Sequence, residues 1–219
     1  RVNYSFKDRY LLSASIRADG SSNFAPGNKW GYFPSVSLGW VASKEQFFDK
    51  VKWVNNLKLR GSYGLTGNNK TEQFGWLDLL YSSNYVTGAG NGTAGAGYIP
   101  SRVFLGNGDI TWERTGQLNV GLDVTLFNNL VSFSFDAYQT KTEKLLIRQA
   151  VLAFTGVPST VNNIGSMKNN GFELELTTNQ IRKKDFRWST TANFAHTKNS
   201  ITELGGEKFL LNQGERTEL

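Results

Sequence analysis

The chain has 219 residues, with 23 Gly, 4 Pro and 13% aromatic residues. That mix suits many strands joined by glycine-rich loops and excludes a disordered tract, which would be poor in aromatics. The net charge of +6 is scattered, and its densest cluster, Arg182-Lys183-Lys184, reads as a turn; without a basic stripe, no nucleic-acid partner is expected. The absence of Cys excludes disulfides and thiolate chemistry, and with one His in the chain a His/Cys metal site is excluded. The longest unbroken apolar run, Ala150 to Phe154, is far short of the ~18 residues a membrane helix needs.

Alternation with period two dominates, and it marks half-buried strands with one apolar and one polar face. Seven segments carry it. The first, Arg9 to Asp19, sets Tyr10, Leu12, Ala14, Ile16 and Ala18 against Ser13, Ser15, Arg17 and Asp19. The second is Pro34 to Ala42, with Val36, Leu38 and Trp40 on the apolar side, and the third is Leu57 to Thr66. The fourth, Trp112 to Phe127, is the cleanest: Leu118, Val120, Leu122, Val124 and Leu126 alternate with Gln117, Asn119, Gly121, Asp123 and Thr125. Leu130 to about Ile147, Gly171 to Asn179 and Phe186 to Asn199 complete the set. Ser43 and Gln46 fit a capping box for a short helix between the second and third. Gln73 to Val86 could hold a loop hairpin, though its alternation is poor.

A soluble β-sandwich that binds glycans also alternates, and it is the alternative reading. Three features favour a membrane barrel. The segments run about 9 to 11 residues or more, the span of a tilted transmembrane strand. Connections alternate long (Gly20 to Phe33, Gly67 to Asp109, Ala150 to Asn170) and short (Asn128-Asn129, Gln180 to Asp185), as do outer loops and periplasmic turns. Aromatics mark the segment ends: Trp40 and Trp188 are expected at the periplasmic boundary and Trp112 at the outer one. The fold class expected is therefore all-β, a partial antiparallel transmembrane β-barrel of about seven long strands. Seven cannot close a single-chain bacterial barrel, and the abrupt opening on Arg1-Val2-Asn3-Tyr4 suggests a cut piece of a larger one.

Several stretches resemble the SusC/RagA family of TonB-dependent outer-membrane transporters. They are Asp8-Arg9-Tyr10-Leu11-Leu12 running to Asn23-Phe24, Asn28 to Trp40, Glu45-Gln46-Phe47, Asn56 to Gly64 and Thr66-Gly67-Asn68. Thr111-Trp112-Glu113, Gln117 to Asp123, Asn163-Ile164-Gly165 and Asn170 to Leu174 continue the pattern. Two loop positions depart from it: Asn23 stands where the family often has Arg, and Asn107-Gly108 where it has Asn-Pro. The resemblance implies an outer-membrane barrel filled by a plug that would precede Arg1, along with a signal peptide, so that residues 1–219 are part of the barrel domain. It implies nutrient import, of a glycan or oligosaccharide or a peptide, driven through TonB, with a SusD-like lipoprotein over the mouth. It implies neither an enzyme nor a cofactor.

On the strand parity Lys58, Arg60, Glu113, Gln117, Asn119 and Asp123 project into the lumen, where they would contact a substrate or plug, or pair within the wall. Asp19 of Asp19-Gly20-Ser21-Ser22 is either a ligand-loop residue or an ordinary turn former. Tyr81, Tyr85 and Tyr98 lie in the long outer loop, positioned to stack on sugars or to pack loop on loop. No catalytic residue is expected: Glu173 and Glu175 share a face without an opposing wall, and His196, on an apolar face, has no nucleophile motif to serve.

Overall fold

The computed structural model describes residues 1–86, 94–100, 104–205, 209–212 and 215–218. Its centre is one antiparallel sheet of eight strands: β1 (Val2–Phe6), β2 (Tyr10–Gly20), β3 (Trp30–Val41), β4 (Val54–Asn68), β7 (Glu113–Leu126), β8 (Val131–Glu143), β11 (Ser166–Arg182) and β12 (Arg187–Glu203), in that order. Three two-stranded ribbons accompany it: β5 (Leu80–Val86) with β6 (Ala94–Pro100), β9 (Leu146–Ala150) with β10 (Ser159–Asn163), and β13 (Phe209–Asn212) with β14 (Glu215–Glu218). β11 and β12 each run 17 residues, about three times the usual length of a soluble strand. No helix among the described residues is long and apolar enough to cross a membrane.

Register lines the alternating residues into rows that cross the whole sheet. Tyr10, Trp40, Leu59, Leu122, Phe135, Leu174 and Phe194 form one outward row. The outward side chains are uncovered: Ile16 is 69% exposed and Leu38 61%. A sandwich would bury such a face beneath a second sheet; among the described residues none lies over it, and the sandwich reading falls. The opposite face carries rows of small polar residues, such as Asn3, Ser13, Ser37, Ser62 and Asn119. Apolar outside and polar inside is the inversion expected of a wall between lipid and a hydrated lumen.

Several expected boundaries move. The sheet has eight strands where seven were expected, because Val2–Phe6 pairs with β2 through a turn at Lys7 and Asp8, both at positive φ. The fifth segment does not reach Ile147: Lys144, at φ 57, breaks it into β8 and β9. The helix anticipated near Ser43 is two 3-10 turns, Ala42–Lys44 and Gln46–Phe48, neither with a side-chain cap. The hairpin suspected within Gln73 to Val86 exists but uses only Leu80–Val86, and its partner strand lies downstream at Ala94–Pro100.

β3 gives a measure of thickness. Trp30 and Tyr32 point outward at its upper end, 62% and 58% exposed, and Trp40 lies at its lower end. Ten residues at ~3.4 Å each, tilted by ~40°, rise about 26 Å, close to the ~25 Å apolar band of an outer-membrane barrel. Trp30 and Tyr32 thus mark the outer boundary. Trp112 does not, and that expectation is corrected: β7 begins one residue after it, so strand parity does not govern its side chain. Trp112 folds inward and is 5% exposed.

Candidate functional site

Two features occupy the polar side of the wall. The first is an ion cluster that spans β4, β7 and β8. Arg60, on β4, reaches across β7 to Asp136 on β8, with Nη1 donating to Oδ1 at 2.7 Å and Nη2 to Oδ2 at 2.5 Å. Its Nε donates to Asp123 on β7 at 3.2 Å, and Ser134 donates to the same carboxylate at 3.0 Å. The bridge is possible because the residue between Arg60 and Asp136 in the row is Gly121. A Cβ there would stand 2.5 Å from Arg60 Cζ, so only glycine lets the guanidinium lie flat over the strand. Lys58 is the cross-strand neighbour of Asp123, and Glu173 that of Asp136.

Asn119, the register partner of Ser62 and Tyr138, joins the cluster by a side-chain hydrogen bond to Asp136 and lines one hollow with Lys58 and Arg60; the remaining expected lumen residues lie apart. Gln117 lies nearer the mouth, in a polar groove with Ser15, Ser35 and Thr66. Glu113, at the top of β7, accepts hydrogen bonds from Asn68 and from the Leu146 amide, tying strand to loop.

The second feature is a dry core at the mouth, built by loops that sequence reading treated as independent. Phe24, Phe33, Ile110 and Trp112 are all nearly fully buried together. Trp112 lies 5.4 Å from both Phe24 and Phe33 and donates its indole N–H to the Lys29 carbonyl at 3.0 Å. Phe33 points inward over Gly67, where any Cβ would collide with its ring. Asparagines lock the loops around this core. Asn107 donates to the Val161 carbonyl and to Asn162, while Asn163 accepts from the Thr111 amide and donates to the carbonyls of Thr111 and Lys144. Asn69 donates to Ser21, and Arg148 pairs with Glu72. The signal for this body was the Asn-rich loop composition, but Asn69, Asn107 and Asn163 each bond a partner about 50 residues away, which no local pattern reveals.

The loop candidates separate. Asp19 is not a loop or turn residue; it is the penultimate residue of β2 and accepts from Arg17 Nε at 2.8 Å. Tyr81 and Tyr98 are exposed on the β5–β6 ribbon, but Tyr81 pairs with Ile99 and Tyr98 with Ser82, so they emerge on opposite faces and cannot sandwich one sugar. The side chain of Tyr85 lies outside the described residues.

At the turn end, Trp40 and Trp188 both face outward. Glu45, from the connection between β3 and β4, accepts Tyr10 Oη at 2.8 Å, Trp40 Nε1 at 3.2 Å and Arg9 Nη1 at 3.0 Å. The Tyr10 and Trp40 hydrogen bonds, with the charge of Arg9, hold its carboxyl below the usual carboxylate range. Among the described residues no group of three or more His, Cys, Asp and Glu side chains could hold a metal ion.

A long-stranded antiparallel wall, apolar outward, with aromatic boundaries and an ion-paired inner face, defines a segment of an outer-membrane β-barrel. The chain belongs to the TonB-dependent receptor β-barrel family, whose model matches residues 1–216. It is 38% identical over 221 residues to TonB-dependent receptor P39 of Formosa agariphila, covering 98% of this chain and 20% of that protein. It is 36% identical over 208 residues to TonB-dependent receptor SusC of Bacteroides thetaiotaomicron, covering 94% of this chain and 20% of SusC. The chain thus spans about a fifth of the length of the relatives it matches. Among solved structures it resembles the RagAB peptide importer in the "closed-closed" and "open-open" states. The TM-score is 0.86 in both, at 31% identity, over 99% of this chain and 23% of the other. These relatives carry the names of receptors and importers, not of enzymes.

Proposed function

We propose that this chain forms part of the wall and outer mouth of a plugged barrel that imports a nutrient oligomer, a glycan or a peptide, by energy transmitted through TonB. The observation that carries the reading is the family match along nearly the whole chain. The inward ion cluster of Arg60, Asp123 and Asp136 supports it, because charges on a hydrated lumen face can serve a plug or a passing solute. The plug is expected ahead of Arg1, and a SusD-like lipoprotein is expected above the mouth.

The resemblance to SusC/RagA transporters favours a glycan, while the likeness to a solved peptide importer favours a peptide. The equal fit to a closed and an open state supports assigning these strands and loops to the fixed frame of the importer. The test is uptake by a strain lacking the full-length gene, fed labelled oligosaccharides or labelled oligopeptides in parallel. Loss of one class, restored by the intact gene and not by a version unable to engage TonB, is the expected result. Unchanged uptake of both would overturn the reading.

A further inference from the structure

One outward row of the wall sets two lysines face to face. Lys141 on β8 is the register partner of Lys168 on β11. The same pairing continues through Gln139 with Asn170, Ala137 with Phe172 and Phe135 with Leu174. The last pair belongs to the outward row that holds Leu122, and steps of two keep the face, so both lysines point out of the barrel. Like charges directly opposite on a sheet destabilise it. The adjacent acid relieves only one of them: Glu143 pairs with Lys141 at 2.5 Å and is itself the register partner of Arg114. Lys168 has no ion pair among the described residues. The open edge of the sheet does not account for this surplus. Lys141 has Gly116 and Lys168 has Ser200 on its other side, so any strand beyond β12 lies two strands, about 10 Å, from Lys168.

Height decides what such a pair can hold. β8 rises from the short turn at Asn128-Asn129, so its far end is the mouth side. Its outward apolar residues are Val131, Phe133, Phe135 and Ala137, and the band stops where Gln139 donates to Asn170 at 2.8 Å. Lys141 and Lys168 stand one outward step higher, about 5 Å for strands tilted by ~40°. The polar layer of a bilayer leaflet is itself ~5–8 Å deep, so both ammonium groups lie among the headgroups of the outer leaflet. Below them Phe172 gathers Phe135, Phe194 and His196 within 6.3 Å, an aromatic surface against which acyl chains can rest. Paired cations over an apolar surface suit a lipid whose head carries phosphate. The outer leaflet of an outer membrane supplies one, a glycolipid phosphorylated on its sugars.

We propose that Lys141 and Lys168 hold a phosphate of the outer-leaflet glycolipid between them, and that this anion relieves their repulsion. The proposal rests on the outward face of the wall, not on the nutrient imported.

The test uses the full-length protein purified from the outer membrane in mild detergent, with retained lipid A read by mass spectrometry per mole of protein. Each basic residue near a membrane surface is worth about fivefold in binding. Lys141→Gln or Lys168→Gln should therefore lower retention about fivefold, and the double variant about 25-fold. Glu143→Gln releases Lys141 from its ion pair and should raise retention instead. Lys183→Gln/Lys184→Gln, in the turn at the opposite end of the wall, should leave it unchanged. Heat-modifiable mobility on gels confirms that each variant is folded. Delipidated protein in nanodiscs should retain phosphorylated lipid A and release the dephosphorylated form. Equal losses in the Lys141/Lys168 and Lys183/Lys184 variants would mean diffuse charge and overturn the site. Lower retention in Glu143→Gln, or equal retention of both forms of lipid A, would overturn it as well. Displacement of the lipid by millimolar inorganic phosphate would reassign the pair to a free anion.

Discussion

Replacing Gly121 by Ala tests whether the Arg60 bridge is built as described. The new Cβ would lie 2.5 Å from Arg60 Cζ and 2.8 Å from both Nε and Nη1, against an ordinary contact of ~3.5 Å. The guanidinium must therefore lift by roughly 1 Å. That movement stretches the 2.7 Å contact to Asp136 towards ~3.5 Å, beyond a useful hydrogen bond. Hydrogen bonds to charged groups are each worth ~1.5–3 kcal/mol. Arg60 and Asp123 are each about a third exposed, so screening reduces this, and we expect a net loss of about 1–2 kcal/mol. The assay is the urea midpoint of the full-length protein in detergent, read by tryptophan fluorescence. In an Arg60→Ser background the same Gly121→Ala change should be neutral or stabilise by up to ~0.5–1 kcal/mol, because alanine restricts the unfolded chain. The effect thus changes sign with Arg60 present or absent. Equal destabilisation in both backgrounds would refute the bridge, since independent sites add within ~0.5 kcal/mol.

The mouth and the boundaries offer further tests. Trp112→Ala removes the centre of the loop core and should cost about 3–5 kcal/mol, seen as faster protease cleavage of the outer loops in intact cells. Asn163→Ala strips three hydrogen bonds and should cost about 1–3 kcal/mol, loosening the same loops without changing the heat-modifiable mobility of the barrel. Brominated lipids should quench Trp30 and Trp40, singly retained, but not Trp112, whose ring is shielded; quenching of Trp112 would restore it to the lipid face. Glu45 has a lowered folded pKa, so its stabilising contacts are fully present above the unfolded carboxylate value of ~4.3 and fade as pH falls through the lower folded value. Glu45→Gln should flatten the acidic change in Trp40 fluorescence.

The strands of the wall were legible because period two is a local property. Leu118 to Leu126 alternate so regularly that the face of each side chain follows from the sequence. β1 was hidden because five residues carry too little alternation to stand alone, although Val2, Tyr4 and Phe6 sit on the outward parity of β2. Trp112 misled because parity was extended one residue beyond its strand. Asp123 was legible as a residue of the polar face, but its union with Arg60 and Asp136 was not, since that depends on Gly121 sitting between two strands joined only in register. The loop core was invisible for the same reason: Phe24, Phe33 and Ile110 belong to segments with no shared period, and only the folded sheet brings them together.

That core bears on how the mouth can work. Opening these loops would expose Phe24, Phe33, Ile110 and Trp112 to water. At ~1.5–3 kcal/mol for each large apolar side chain, the cost is about 6–12 kcal/mol before any of the asparagine bonds is counted. Coupling between a ligand and a conformational change typically supplies ~1–3 kcal/mol. A ligand's binding energy alone therefore falls short of parting these loops, and the packed core makes them a rigid assembly. If the proposed import function holds, the wall and its interlocked loops would serve as the frame, and admission of a solute would fall to other parts of the barrel.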